Sequence, residues 1–188
     1  EQSVSDIYRV GERIKVYILS VEKTSKFPKI LISRRNEGLL RKLFEIEIPE
    51  ITSGIIEIKS VAREAGSRAK VAVYSAVPNI DTIGACIGQK GARIKNIVDE
   101  LNGERIDIVE WKPVVEEFVS AVLSPAVVSN VTILEDGTAR VLVEPSQLSL
   151  AIGKNGQNAR LAARLTGMRV DIKVIDKDKE TLKEGEDE

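Results

Sequence analysis

The stretch from Cys86 to Ile94, CIGQKGARI, sets two glycines around a polar pair, and Ala151 to Ala159, AIGKNGQNA, repeats the arrangement 65 residues later. A lone Gly-x-x-Gly is a weak signal, because glycine serves wherever backbone turns sharply or comes close to a ligand. Here the surroundings repeat as well. AKVAVYS (Ala69 to Ser75) precedes the first loop as ARVLVEP (Ala139 to Pro145) precedes the second. After the loops, GARIKNIVDELNGERIDIV from Gly91 and GQNARLAARLTGMRVDIKV from Gly156 each give an amphipathic stretch, a glycine, and then Arg105 to Ile108 or Arg169 to Ile172. Shared order over this span indicates a duplicated module, and duplication calls for two units of the same fold.

The periodicities assign the elements. Ile94, Ile97, Val98 and Leu101 recur at three and four, as do Leu161, Ala162 and Leu165, so each loop opens a helix that Gly103 or Gly167 ends. The β-branched runs that follow are strands. Before the loops, IDTIGACI and SQLSLAI read as short helices led by the cap candidates Asp81 and Ser146. Upstream lie paired strands: GIIEIKSVARE with AKVAVYS across Ala65-Gly66-Ser67, and AVVSNVTILE with ARVLVEP across a two-residue Asp136-Gly137 turn. The helices EGLLRKLFE and PVVEEFVSAVL come first, so each copy runs helix, strand, strand, helix, loop, helix, strand.

Composition narrows the chemistry. The absence of histidine removes Ser-His and Cys-His catalysis and the usual zinc sets. The single cysteine, Cys86, cannot form an internal disulfide and reads as a small buried hydrophobe. No apolar run is long enough to span a membrane, and the polar start carries no signal core, so a cytoplasmic setting without membrane partners is expected. A net charge of −1 conceals an uneven distribution. Thr82 to Val98 holds no acid but has Lys90, Arg93 and Lys95, and Pro145 to Val170 holds no acid but has Lys154, Arg160, Arg164 and Arg169. Acid collects instead in the tail from Asp176 to Glu188, expected to be solvated and flexible.

A helix-loop-helix hinge with glycines lets backbone pass close to a sugar-phosphate chain, while the lysine and the second helix's N-terminus supply positive potential. Such a loop resembles that of RNA-binding KH domains, which clamp about four nucleotides over an adjacent helix and strand. The apolar floor would then be Ile87, Ile94 and Ile97 with Ile106 and Ile108, and Ile152, Ala159 and Ala162 with Val170 and Ile172. The RNA-binding set is Gly88, Gln89, Lys90, Gly91, Arg93, Ile94, Lys95, Ile106 and Ile108 in the first copy. In the second it is Gly153, Lys154, Asn155, Gly156, Gln157, Asn158, Arg160, Val170 and Ile172. Few aromatics are available for stacking, and Tyr74 and Trp111 read as packing residues. A Walker phosphate loop fails on spacing, and neither loop has the Ser/Thr after its lysine that would hold magnesium. No catalytic residue, metal or cofactor is expected.

SRRNEGLLRKLFEIEIPEI, IEIKSVAREAGSRAKVAVYS, GACIGQKGARIKNIVDELNGERIDIVEW and AIGKNGQNARLAARLTGMRVDI together resemble the NusA family of bacterial transcription factors, from Val10 to Ile175. Departures are small: Ala65 stands where the family often has proline, and Thr82 where it often has Asp-Pro before IGAC. The resemblance implies an α+β chain of two tandem type II KH domains (α-β-β-α-α-β each) preceded by the C-terminal strands of an OB-fold β-barrel. The expected limits are residues 1–35 for the OB part, 36–112 and 113–176 for the KH domains, and 177–188 for an acidic tail. Residues 1–34 supply only about two strands, ERIKVYILSVE and PKILISRR, whereas a closed OB barrel has five, so the chain reads as a fragment that begins inside that domain. The implied function is binding of single-stranded nascent RNA, with RNA polymerase and other transcription factors as partners, to modulate pausing, termination and antitermination. A protein-docking scaffold whose glycine loops are mere turns, or a nucleotide-binding module, are the alternatives.

Overall fold

Why Leu39, Leu40, Leu43 and Phe44 recur along one face is answered by the helix they form: α1 (Glu37–Glu47) lays these side chains into the core of the first of two units. The computed structural model describes residues 1–175, so the acidic tail lies outside the described residues. By its internal contacts the chain divides into Glu1–Trp111 and a second unit from Lys112.

The first unit begins with a two-stranded antiparallel sheet, β1 (Tyr17–Glu22) and β2 (Lys29–Ser33), whose register slips between Ile18 and Ser20. Then come α1, the single turn α2 (Pro49–Thr52), β3 (Glu57–Glu64), β4 (Arg68–Tyr74), α3 (Thr82–Ile87), α4 (Ala92–Glu100) and β5 (Arg105–Glu110). The sheet order is β3-β4-β5, with β4 antiparallel to β3 and parallel to β5, so the α3–α4 pair forms the crossover that a parallel pair requires. Ala69, Val71 and Val73, alternating along β4, face the helices together with Ile97 and Leu101 of the α4 end. Cys86 is fully buried among them, and burial pushes its thiol up to about 12, which makes it inert packing.

Arg34 ties the hairpin to this unit. Its guanidinium donates to both oxygens of buried Asp6 at 2.8 and 3.1 Å and to the carbonyl of Glu100 at 2.7 Å, placing positive charge on the C-terminal end of α4. Arg63 and Glu104 form a second buried pair at 2.7 Å, and the Glu104 carboxylate also accepts from the Gly66 N–H. Tyr74 and Trp111 meet edge to face at 5.3 Å with the Lys59 ammonium over both rings, in keeping with their expected packing role.

The second unit repeats the order: α5 (Val115–Val122), β6 (Asn130–Ile133), β7 (Ala139–Val143), α6 (Leu148–Ile152), α7 (Gln157–Thr166) and β8 (Val170–Val174), in sheet order β6-β7-β8. Phe118, Val119 and Val122 of α5, alternate residues of β7, and Leu161 and Leu165 of α7 are among its buried apolar side chains.

Several local expectations change. The Asp136-Gly137 connection is a three-residue loop: the Gly137 N–H donates to the Leu134 carbonyl, the Leu134 N–H to the Thr138 carbonyl, and Gly137 sits at φ +79°. That is a tight turn closed by a left-handed glycine. Asp81 does cap α3, accepting from the Gly84 N–H at 2.8 Å, but Ser146 makes no capping bond, because Pro145–Gln147 forms a 3-10 turn ahead of α6. β6 is shorter than the β-branched run suggested, whereas Gly103, at φ +86°, closes α4 as expected, its N–H donating to the Val98 carbonyl at 2.9 Å.

Candidate nucleic-acid interface

The two glycine loops have the same backbone. Gly88 lies at φ 75°, ψ 173° and Gly153 at 73°, 170°; Lys90 lies at 50°, 27° and Asn155 at 52°, 30°; Gly91 lies at 75°, 16° and Gly156 at 73°, 13°. Their hydrogen bonds match too: the first glycine's N–H donates to the carbonyl four residues back at 2.9 Å in both, and the second glycine's N–H to the first glycine's carbonyl at 3.1 Å. The two glycines serve different ends. The first occupies a region open essentially to glycine alone, whereas the second is left-handed helical, which Asn or Asp also tolerates.

Each first glycine is also a contact surface. A Cβ on Gly88 would lie 2.7 Å from the Arg93 Cγ, and one on Gly153 would lie 2.8 Å from the Asn158 Cβ and 2.9 Å from its backbone nitrogen. Arg93 and Asn158 hold equivalent places and perform equivalent work. Arg93 donates to the Ala85 carbonyl at 2.6 Å and to Glu50 at 2.8 Å. Asn158, buried to 1% exposure, reaches the carbonyls of Leu123, Leu150 and Ala151 at 2.9, 3.2 and 3.1 Å. Both locks join the helix before the loop to the helix after it. Asn158 is therefore corrected from an RNA-facing group to a structural tie, and the Arg93 guanidinium is engaged by Glu50 rather than offered outward.

The remaining polar candidates are presented to solvent. Gln89, Lys90, Lys95, Lys154 and Asn155 are exposed, and Gln157 is half-buried. Arg160 is exposed and donates to the Asn155 carbonyl at 3.1 Å, bracing the second loop. The apolar floor divides. Ile97 and Ala162 are each 1% exposed and belong to the core, which removes them from the groove. Ile94, Ile106 and Ile108 are half-buried against the core, and Ala159, Val170 and Ile172 are half-buried at the matching places. Ile87 and Ile152 are 37% and 39% exposed at the last position of α3 and α6, beside each loop. β5 and β8 each form one edge of their three-stranded sheets, bringing these aliphatics next to the loop-helix hinge.

Sequence reasoning missed Glu50, which lies 43 residues before Arg93 and meets it only in the folded unit. Glu47 likewise accepts from Asn96 of α4 at 2.9 Å, so carboxylates of the α1–α2 region border the first acid-free window. Among the described residues, no three His, Cys, Asp or Glu are grouped to hold a metal ion.

Two α-β-β-α-α-β units, each with a glycine loop between helices and an aliphatic strip on an edge strand, define a tandem KH-domain protein. Residues 34–111 match the NusA-like first KH domain and residues 115–180 the NusA-like second KH domain. The chain belongs to the NusA family. It is 55% identical over 174 residues to the transcription termination/antitermination protein NusA of Halalkalibacterium halodurans, covering 92% of this chain and 46% of that protein. It is 54% identical to the Bacillus subtilis protein of the same name, covering 92% and 47%, and 51% identical to that of Thermus thermophilus, covering 89% and 43%. The chain spans about half the length of the curated relatives it matches. The crystal structure of APE1850 shares the fold, with a TM-score of 0.54 at 23% identity over 71% of this chain and 96% of that one.

Proposed function

We propose that this chain binds single-stranded nascent RNA through its two KH units and, within a longer transcription factor, modulates pausing, termination and antitermination by RNA polymerase. The observation that carries the reading is the pair of loops with matching backbone, each presenting an exposed lysine, Lys90 or Lys154, beside a half-buried aliphatic strip. Sugar-phosphate passes over the glycines, the lysines and the N-termini of α4 and α7 supply positive potential, and bases lie on Ile87, Ile94, Ile106 and Ile108 or their counterparts. The expected RNA-binding set thus becomes Gly88, Gln89, Lys90, Gly91, Ile94, Lys95, Ile106 and Ile108, with Gly153, Lys154, Asn155, Gly156, Gln157, Arg160, Val170 and Ile172. No group in either hinge is given a catalytic role. Polymerase and other transcription factors are the protein partners this reading names, and the cytoplasm is its setting; no helix among the described residues is long and apolar enough to cross a membrane. Residues 1–35, a single hairpin among the described residues, are assigned to the closing strands of an OB barrel.

The test is a titration with single-stranded RNA of the parent and of Gln89→Asp/Lys90→Asp and Lys154→Asp/Asn155→Asp. Lys90 and Asn155 occupy left-handed positions that Asp tolerates, so the fold is retained. Each pair should weaken binding at least about tenfold, with a shallower salt dependence. Folded variants that bind like the parent would leave the loops as turns and favour a scaffold.

A further inference from the structure

The slot between helix and sheet edge that the first unit fills with its own arginine stands open in the second. Buried Leu39, Leu40, Leu43 and Phe44 of the first unit recur at the same spacing as Phe118, Val119, Val122 and Leu123. Helix α5 thus aligns with α1, with Glu116 in the place of Glu37 and Ser120 in the place of Arg41. In the first unit the Arg41 guanidinium reaches from α1 to the edge strand β3, donating to the Ile58 carbonyl at 3.2 Å, and lies 4.0 Å from the Glu37 carboxylate. Ser120 is too short for either contact. What remains is a groove of about 400 Å³ between α5 and β6, whose lining includes Glu116, Glu117, Ser120, Ala121, Ser129 and Val131.

The wall facing α5 is a free sheet edge, since β6 has only β7 as a neighbour. The Leu134 N–H donates to the Thr138 carbonyl, and the register runs Thr132 to Arg140 and Asn130 to Leu142. The alternate residues Val131 and Ile133 therefore turn their N–H and C=O groups away from β7. Charge here is one-sided: from Pro113 to Ala139 the chain carries Glu116, Glu117, Glu135 and Asp136 but no Lys or Arg. Glu116 and Glu117 are exposed and pair with no cation among the described residues. We propose that this groove docks an extended basic segment of a protein partner. The segment adds a strand to β6 through the backbone of Val131 and Ile133, and lays an arginine beside Glu116 as Arg41 lies beside Glu37. RNA is the wrong occupant, because its phosphates would meet an acid-only surface. Strand β8, which carries the aliphatic strip, forms the other edge of the sheet, so the proposal uses no residue of the glycine hinge and does not rest on its RNA-binding reading.

The experiment titrates the full chain with a fluorescein-labelled peptide of alternating Arg and Val, read by anisotropy and by backbone amide exchange. Binding should protect the Val131 and Ile133 amides, a readout on the unaltered chain that needs no variant to fold. Ser120→Arg, which supplies the missing guanidinium from within, should weaken binding at least about tenfold, as should Glu116→Lys/Glu117→Lys, which reverses the groove's charge. A peptide of alternating Arg and Pro has the same charge but cannot build the backbone ladder, and should bind at least about tenfold more weakly. Melting curves matching the parent verify that the variants are folded. No binding of the Arg-Val peptide, equal binding of the Arg-Pro peptide, unprotected Val131 and Ile133 amides, or a folded Ser120→Arg chain that binds like the parent would each overturn the proposal. Protection of those amides by an oligouridine and not by the peptide would overturn it in favour of nucleic acid.

Discussion

Replacing Gly153 with Ala and, separately, Gly156 with Asn separates the two roles that a Gly-x-x-Gly loop merges. Gly153 at φ 73°, ψ 170° occupies a region essentially reserved for glycine, and a methyl there would lie 2.8 Å from the Asn158 Cβ and 2.9 Å from its backbone nitrogen. The nitrogen belongs to α7 and cannot yield without moving the helix. Backbone strain of about 1–3 kcal/mol adds to overpacking of about 1–3 kcal/mol, so Gly153→Ala should cost about 2–6 kcal/mol. Gly156 at φ 73°, ψ 13° is left-handed helical, and the nearest atom to its would-be Cβ is the Arg160 Nη1 at 3.8 Å. Asn visits that conformation readily, so Gly156→Asn should cost about 1 kcal/mol or less. For a unit of this size each kcal/mol moves the melting temperature by about 4–8 °C. Circular dichroism melts should therefore show a drop of at least about 8 °C for Gly153→Ala and a much smaller one for Gly156→Asn. Equal losses would refute the assignment of steric contact to the first glycine and conformation alone to the second.

Asn158→Asp should destabilise the second unit by about 1–3 kcal/mol, read by urea unfolding, because a carboxylate cannot donate to the buried carbonyls of Leu123, Leu150 and Ala151; an unchanged midpoint would remove the tie. In the first unit, burial pushes the Asp6 carboxyl up, but hydrogen bonds from Arg34, Tyr8 and Asn102 outweigh it and hold Asp6 below its usual value. A depressed carboxylate contributes stability above its unfolded pKa of about 4 and loses it as pH falls through the folded value. The melting temperature should accordingly decline on acidification below about pH 4, and Asp6→Asn should lower it at neutral pH while flattening that acid limb. Parallel pH profiles for parent and variant would count against this account.

The element order and both hinges were legible in the chain because they rest on local rules. Helical spacing in α1, α4 and α7, alternation along β4 and β7, and glycines where φ turns positive each depend on neighbours a few residues away. Duplication strengthened each assignment, since one copy checks the other. Even so, Gly137 had to be moved from a two-residue to a three-residue turn, because both loop lengths accept the same Asp-Gly pair.

What tertiary structure decided was the fate of side chains that local rules treat alike. Arg93 and Lys95 stand two residues apart in one acid-free window, yet Glu50 takes the first while the second faces water. Asn158 looks as polar as Asn155, but it is buried against three carbonyls, while Asn155 is exposed at the turn. Ile94 and Ile97 fit one helical stripe, and only packing against the sheet sends Ile97 inward and leaves Ile94 half open. Burial and pairing are set by partners tens of residues away in sequence, so the sequence by itself determined where the chain bends and how its elements pair, and the folded units determined which of its charges and aliphatics remain at the surface.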